Sequence, residues 1–146
     1  MLKSGKQTEQ QIDKTLDSCL HIFRLVQGKD VFEACYAKFL ARRLLLGKSA
    51  SVDDERRMVG KLRLECGAGF TSKMEGMFKD MDVSREVMSG FNESARYREK
   101  ISSIGIEFGV HVLTSGYWPT YPQISLNLPV DLSKCQEAYK GTLLHF

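Results

Sequence analysis

Side chains able to do chemistry are few in this chain and stand apart from one another. Gly47-Lys48-Ser49 has the ending of a phosphate-binding loop. That loop needs a second glycine five residues before Gly47, and the position holds Arg42. Leucines of a helical run precede Gly47, so the glycine reads as a helix C-terminus. Cys19, Cys35, Cys66 and Cys135 stand 16, 31 and 69 residues apart, with no C-x-x-C pair and no histidine at zinc-finger spacing. They are read as reduced thiols, most of them core fillers. His111 falls in an alternating run and reads as a solvent-side or interface residue. His21 lies beside the apolar stripe of a helix and reads as a surface or boundary residue. Ser51 and Ser72 read as helix caps, since neither sits in a G-x-S-x-G elbow. Asp53-Asp54-Glu55 lacks the alternating ligands and bending glycine of a cation loop, and reads as anions complementing a helix dipole. Met74, Met77, Met81 and Met88 recur at helical spacing, which suits an adaptable groove but more often marks plain core. These residues assemble no catalytic set, no metal site and no cofactor motif.

The elements that would position such residues follow from composition and periodicity. With 146 residues and 42% hydrophobic content the chain can bury a core. Its 21 basic and 18 acidic residues are interleaved, which disfavours a nucleic-acid binder gathering cations on one face. Arg42-Arg43 and Arg56-Arg57 read as solvated helix faces. No run approaches the roughly 20 apolar residues of a membrane span. The N-terminal residues carry charge without the apolar run of a secretory signal.

Residues 8–27 read as an amphipathic helix with a Thr8/Gln11 capping box and a stripe of Ile12, Leu16, Leu20, Phe23 and Val26, stopped by Gly28. A second helix is expected from an Asp30/Glu33 cap to about Leu46, packed on several sides by Val31, Phe32, Cys35, Tyr36, Phe39, Leu40 and Leu44, and closed by Gly47. Ser51 caps a third, with Val52, Met58, Val59 and Leu62 inside, and Gly67 stops it. Ser72 with Glu75, and then Ser84, are expected to cap two more segments, and residues 92–100 turn polar. The period then shortens to two. Ile106, Phe108, Val110 and Val112 alternate with polar neighbours as in a half-buried strand, and Ile124, Leu126 and Leu128 suggest a second. Pro129 opens a last helix on which Leu132, Cys135, Ala138 and Tyr139 share a face. Two strands are too few to stand alone, so their edges are expected to meet a partner or further sheet.

Ordered blocks carry a family resemblance. Gly28-Lys29-Asp30-Val31-Phe32-Glu33-Ala34 leads to Leu40-Ala41-Arg42-Arg43-Leu44-Leu45 and then Ser49-Ala50-Ser51-Val52-Asp53. Cys66-Gly67 precedes Phe70-Thr71-Ser72-Lys73-Met74-Glu75-Gly76-Met77-Phe78-Lys79-Asp80-Met81, and Val112-Leu113-Thr114-Ser115-Gly116-Tyr117-Trp118-Pro119 comes later. Together they resemble the cullin signature over roughly residues 8–140, nearest to the type-four cullins.

The resemblance implies a fold that is mostly α with a small α+β C-terminal part. Residues 1–7 would be a flexible N-terminus, 8–104 a cullin-like four-helix bundle, and 105–146 the truncated start of an α/β subdomain. It implies a non-catalytic scaffold of a cullin-RING ubiquitin-protein ligase, in the nucleus and cytoplasm, supporting ubiquitination and ubiquitin-dependent degradation. The implied partners are a RING-H2 protein and cullin-associated regulators, with no nucleic acid, membrane or cofactor. A strand of the RING subunit would join the sheet, with Ile106, Phe108, Val110, Val112 and Trp118 as candidate contacts; Phe108, Val110 and Val112 would form the buried row with Trp118 packing the turn, and intramolecular core is the equal alternative for these four. The chain departs from the pattern where Gly141-Thr142-Leu143-Leu144-His145-Phe146 replaces a basic stretch, and it lacks the adaptor-binding repeats and the lysine that accepts the ubiquitin-like modifier. A truncated fragment acting only as a helical protein-interaction module is the alternative.

Overall fold

A computed structural model describes residues 8–94, 99, 101 and 104–143. They are mostly helical and hold five helices and no strand. The expected flexible residues 1–7, part of the polar stretch 92–100 and the tail 144–146 lie outside the described residues. The chain divides into two compact units, one running to Phe78 with Ser115–Pro119 added, the other comprising Lys79–Thr114 and the residues from Thr120 onward.

The first unit begins with α1 (Glu9–Leu25), α2 (Lys29–Leu45) and α3 (Val52–Cys66) and takes the opening turns of α4 (Ala68–Glu93). The capping box at Thr8 and Gln11 forms as the sequence predicts. Leu20 and Phe23 of the stripe pack with Met58 and Leu62 of α3, and Leu16, Phe32, Tyr36, Cys66 and Phe70 close around them. Phe23 sits 4.8 Å from Phe32 and 5.9 Å from Phe70, centroid to centroid, as edge-on aromatic packing favours. Arg24 to Glu65, Lys61 to Asp17 and Arg57 to Glu9 link α1 to α3 at the surface. Solvent and salt screen such exposed pairs, so the apolar seam holds the two helices together. Gly47 and Gly67 take the left-handed conformation their positions predict, with φ of 60° and 88°.

Several expectations are corrected here. Val26, not Gly28, ends α1 by turning extended. Gly28 keeps a negative φ and becomes the N-cap of α2, so the helix starts too early for Asp30 to cap it. The Lys29 ammonium reaches back 2.9 Å to the Val26 carbonyl instead. Of the residues expected to pack α2 on several sides, Leu40 and Leu44 are buried, whereas Val31 and Phe39 are 62% and 58% exposed and Cys35 is exposed. Ser72 caps nothing, because the left-handed Gly67 restarts the helix at Ala68 and α4 runs on unbroken. Glu75 takes the Thr71 hydroxyl at 2.7 Å and Arg63 at 2.8 Å. Of the cysteines only Cys135 is fully buried; Cys66 is half-buried and Cys19 and Cys35 are exposed, all four as free thiols.

In the second unit Phe91, Ile101, Cys135, Ala138 and Tyr139 form the core, with Val87, Met88, Ile104, Phe108 and Val110 packed against it. Cys135, Ala138 and Tyr139 come from the shared face predicted for the last helix, α5 (Val130–Leu143). Phe91 meets Tyr139 edge-on at 5.1 Å. Met74 and Met77, in the first unit, are fully buried, which agrees with the core reading of the methionine series. The strands expected at 106–113 and 124–128 are absent from the described residues. Ile124 and Leu126 are each 73% exposed and alternate without covering anything.

Candidate partner-binding segment

Residues 106–114 run without helix or strand along the second half of α4. Two α4 side chains hold the backbone there. Ser84, almost wholly buried, accepts the Val112 N–H at 2.8 Å and donates its own hydroxyl to the Val112 carbonyl at 3.1 Å. One hydroxyl thus does what an opposite residue does in a hydrogen-bonded strand pair, taking an N–H and giving a proton to a C=O. One helical turn earlier, Asp80 is buried and takes the Thr114 N–H at 2.6 Å and the Thr114 hydroxyl at 2.7 Å. A carboxylate this buried needs such charge-assisted partners.

The side chains follow the same geometry. Phe108 and Val110 are half-buried against the Phe91 and Tyr139 rings, while Glu107, Gly109 and His111 are exposed. Ile106 and Val112 are each 37% exposed, so the Val112 side chain faces outward although its backbone is held. The structure therefore brings Phe108 and Val110 together on one core. Trp118 belongs to the other unit, where it is half-buried. A cleft of about 380 Å³ opens beside the segment, lined by Met81, Arg85 and Met88 of α4 and by His111.

Asp80 and Ser84 escape sequence reasoning. Ser84 resembles a cap signal, and it lies inside an unbroken helix. The available signal was two small polar residues four apart beside Met77 and Met81, which places polar groups next to the apolar face of one helix.

Glu55 is the third residue missed. With its neighbours it reads as a dipole partner for α3, and it does stand in the first turn. It also accepts both Nε and Nη2 of Arg43, at 2.5 and 2.8 Å, and the hydroxyls of Ser49 and Tyr36, at 3.2 and 3.4 Å. Burial, followed by the Glu55 charge, pushes the Tyr36 phenol far above its ordinary range against the opposing pull of Arg43. Among the described residues no group of three His, Cys, Asp or Glu side chains could hold a metal ion. Among the same residues no helix is long and apolar enough to cross a membrane.

A family model described as the cullin alpha solenoid domain matches residues 1–88. The chain is 47% identical over 145 residues to Cullin-4A of Homo sapiens, covering 98% of this chain and 19% of that protein. It is 48% identical over 145 residues to Cullin-3 of Dictyostelium discoideum, with the same coverage of each. Against Cullin-4 of Dictyostelium discoideum it is 44% identical over 140 residues, covering 94% of this chain and 17% of the relative. The chain thus spans about a fifth of the length of these relatives. On the family model and these identities together, the chain belongs to the cullin family.

Proposed function

We propose that this chain serves as scaffold in a cullin-RING ubiquitin-protein ligase and helps bind the ligase's RING-H2 subunit. Its work would be placement: holding the subunit, and through it a charged conjugating enzyme, near substrate raises effective concentration and fixes geometry without a nucleophile. Residues 8–104 would form the helical bundle, and residues 105–146 the start of an α/β subdomain whose sheet is completed by the partner. Ubiquitin-dependent degradation, cullin-associated regulators and a nuclear and cytoplasmic location belong to the same reading.

The observation that carries it is the 47% identity to a cullin along nearly the whole chain. The segment at 106–114 adds support, since it lies without helix or strand beside α4, and a side chain rather than another strand meets the backbone of Val112. Strand addition to such a backbone would let the main chain supply affinity and alternate side chains specificity. The test is co-purification of the 146-residue chain with a recombinant RING-H2 subunit, using an intact cullin as positive control. Capture of the subunit supports the scaffold role. A chain that fails where the intact cullin succeeds is an interaction module without ligase competence.

A further inference from the structure

We infer that the cleft beside α4 in the second unit is a binding site for a small amphiphilic carboxylate, an apolar chain ending in one negative charge.

The cleft is built from one helix face and a short stretch of the segment that follows. Met81, Arg85, Met88 and Asn92 recur at spacings of four, three and four residues, which brings them onto one face of α4. Gly109, Val110 and His111 supply the opposite wall. Ser84, at the edge of the same helix face, is tied to both backbone groups of Val112, so the two walls are pinned where they meet. The volume of about 380 Å³ stands at the small end of the range for small-molecule sites and suits a short-chain ligand.

The lining divides by chemistry. Met81, Met88 and Val110 are half-buried and give an apolar floor, and the unbranched thioether side chains adapt to the shape laid against them. Arg85, Ser89, Asn92 and His111 are exposed and bring N–H and O–H donors to the rim. Among the described residues the lining holds no aspartate or glutamate, so the charge it can offer is positive. Two carboxylates stand just outside it. Asp82 lies 3.5 Å from the Arg85 guanidinium, and Glu93 accepts the Ser89 hydroxyl at 3.4 Å. Both contacts are long and exposed. The Arg85 side chain is 72% exposed, and one long contact leaves most of its five donors for a second carboxylate. A neutral apolar ligand would gain from the floor alone, and an ammonium would meet the guanidinium as a like charge. A carboxylate on an apolar chain uses the floor and the rim together.

The test is a titration of the 146-residue chain, carrying isotope-labelled methionine methyl groups, with hexanoate, hexanol and hexylammonium as probes. Hexanoate should shift the Met81 and Met88 methyl signals saturably and leave Met58, in the first unit, unmoved. Its midpoint should lie about fivefold or more below that of hexanol, and hexylammonium should bind most weakly. Arg85→Gln, a change on an exposed side chain, should raise the hexanoate midpoint to that of hexanol and leave the hexanol midpoint where it was. A hexanol or hexylammonium response as strong as that of hexanoate overturns the inference. So does the lack of a saturable shift, a shift that moves Met58 as much, or an Arg85→Gln chain that keeps the preference for hexanoate.

Discussion

Arg43 grips Glu55 through two parallel hydrogen bonds, at 2.5 and 2.8 Å, and so ties the last turn of α2 to the first turn of α3 across the loop between them. The Glu55 side chain is 14% exposed and that of Arg43 34%, which sets the pair between a surface bridge and a buried one. Surface bridges contribute less than about 1 kcal/mol, and breaking a buried pair from one side costs roughly 3–5 kcal/mol. Glu55→Ala should therefore destabilise the chain by about 2 kcal/mol, as a lower urea midpoint. Arg43→Lys should recover only part of the loss relative to Arg43→Ala, because lysine cannot make the paired contact.

The Tyr36 phenol packs beside this pair, and its acidity makes a prediction of its own. Its pKa is raised from the ordinary 10.0, first by burial and then by Glu55. The sign follows from linkage. Above pH 10 the unfolded chain loses the phenolic proton while the folded chain keeps it, so the folded state holds more protons and stability falls as pH rises. Below pH 10 Tyr36 contributes no slope. A urea midpoint measured from pH 8 to pH 11.5 should be level at first and then decline. Tyr36→Phe should flatten part of that decline, leaving the parts due to Tyr139, whose phenol is also raised by burial, and to Lys61, whose ammonium is raised by its hydrogen bond to Asp17.

How much of this was legible in the sequence differs between the two units for a physical reason. Helix signals are local. The Thr8 and Ser51 caps, the left-handed Gly47 and Gly67, and the Leu20 and Phe23 stripe depend on neighbours within four residues, and all appear as expected. The period of two at 106–112 was equally real, for Phe108 and Val110 do face a core. It reports only that an extended chain lies on an apolar surface and is silent about what meets its backbone edges. Here α4 side chains meet one edge, from residues 28 and 34 positions away in sequence, a separation no local pattern encodes. The same holds for Ser84, whose type signals a helix start when read alone and a backbone receptor once its partner is known. Of the five candidate contacts, Phe108 and Val110 are placed by alternation, whereas the position of Trp118 depends on tertiary packing.

Gly76 offers a test in which a substitution changes sign. A Cβ built there would stand 2.5 Å from carbons of the Tyr117 ring, closer than any van der Waals contact permits. In an ordinary helix interior, replacing glycine by alanine stabilises by about 1 kcal/mol. Gly76→Ala should instead destabilise by roughly 1–3 kcal/mol, since the aromatic ring must move. In a Tyr117→Ala background the same change should become stabilising by up to about 1 kcal/mol. A double-mutant cycle on urea midpoints measures both, and additive effects would show that the ring is not the obstacle.

Tyr139 gives the last prediction. Its ring is 3% exposed and seated between Phe91 and Phe108, at 5.1 and 6.2 Å. Its hydroxyl finds no hydrogen-bond partner among the described residues. Two effects compete when the oxygen is removed. Loss of a hydrogen bond would cost about 1 kcal/mol, but no such bond is made among the described residues; relief of a buried, unsatisfied hydroxyl returns about 1–3 kcal/mol. A small gap left by the missing oxygen forfeits some dispersion contact and offsets part of that gain. The second effect should win, so Tyr139→Phe should raise the urea midpoint by the equivalent of about 0.5–1 kcal/mol. Tyr139→Leu, which removes the edge-on aromatic contacts as well, should lower it by more than that. A drop in stability for Tyr139→Phe would mean that the hydroxyl is held by a partner after all.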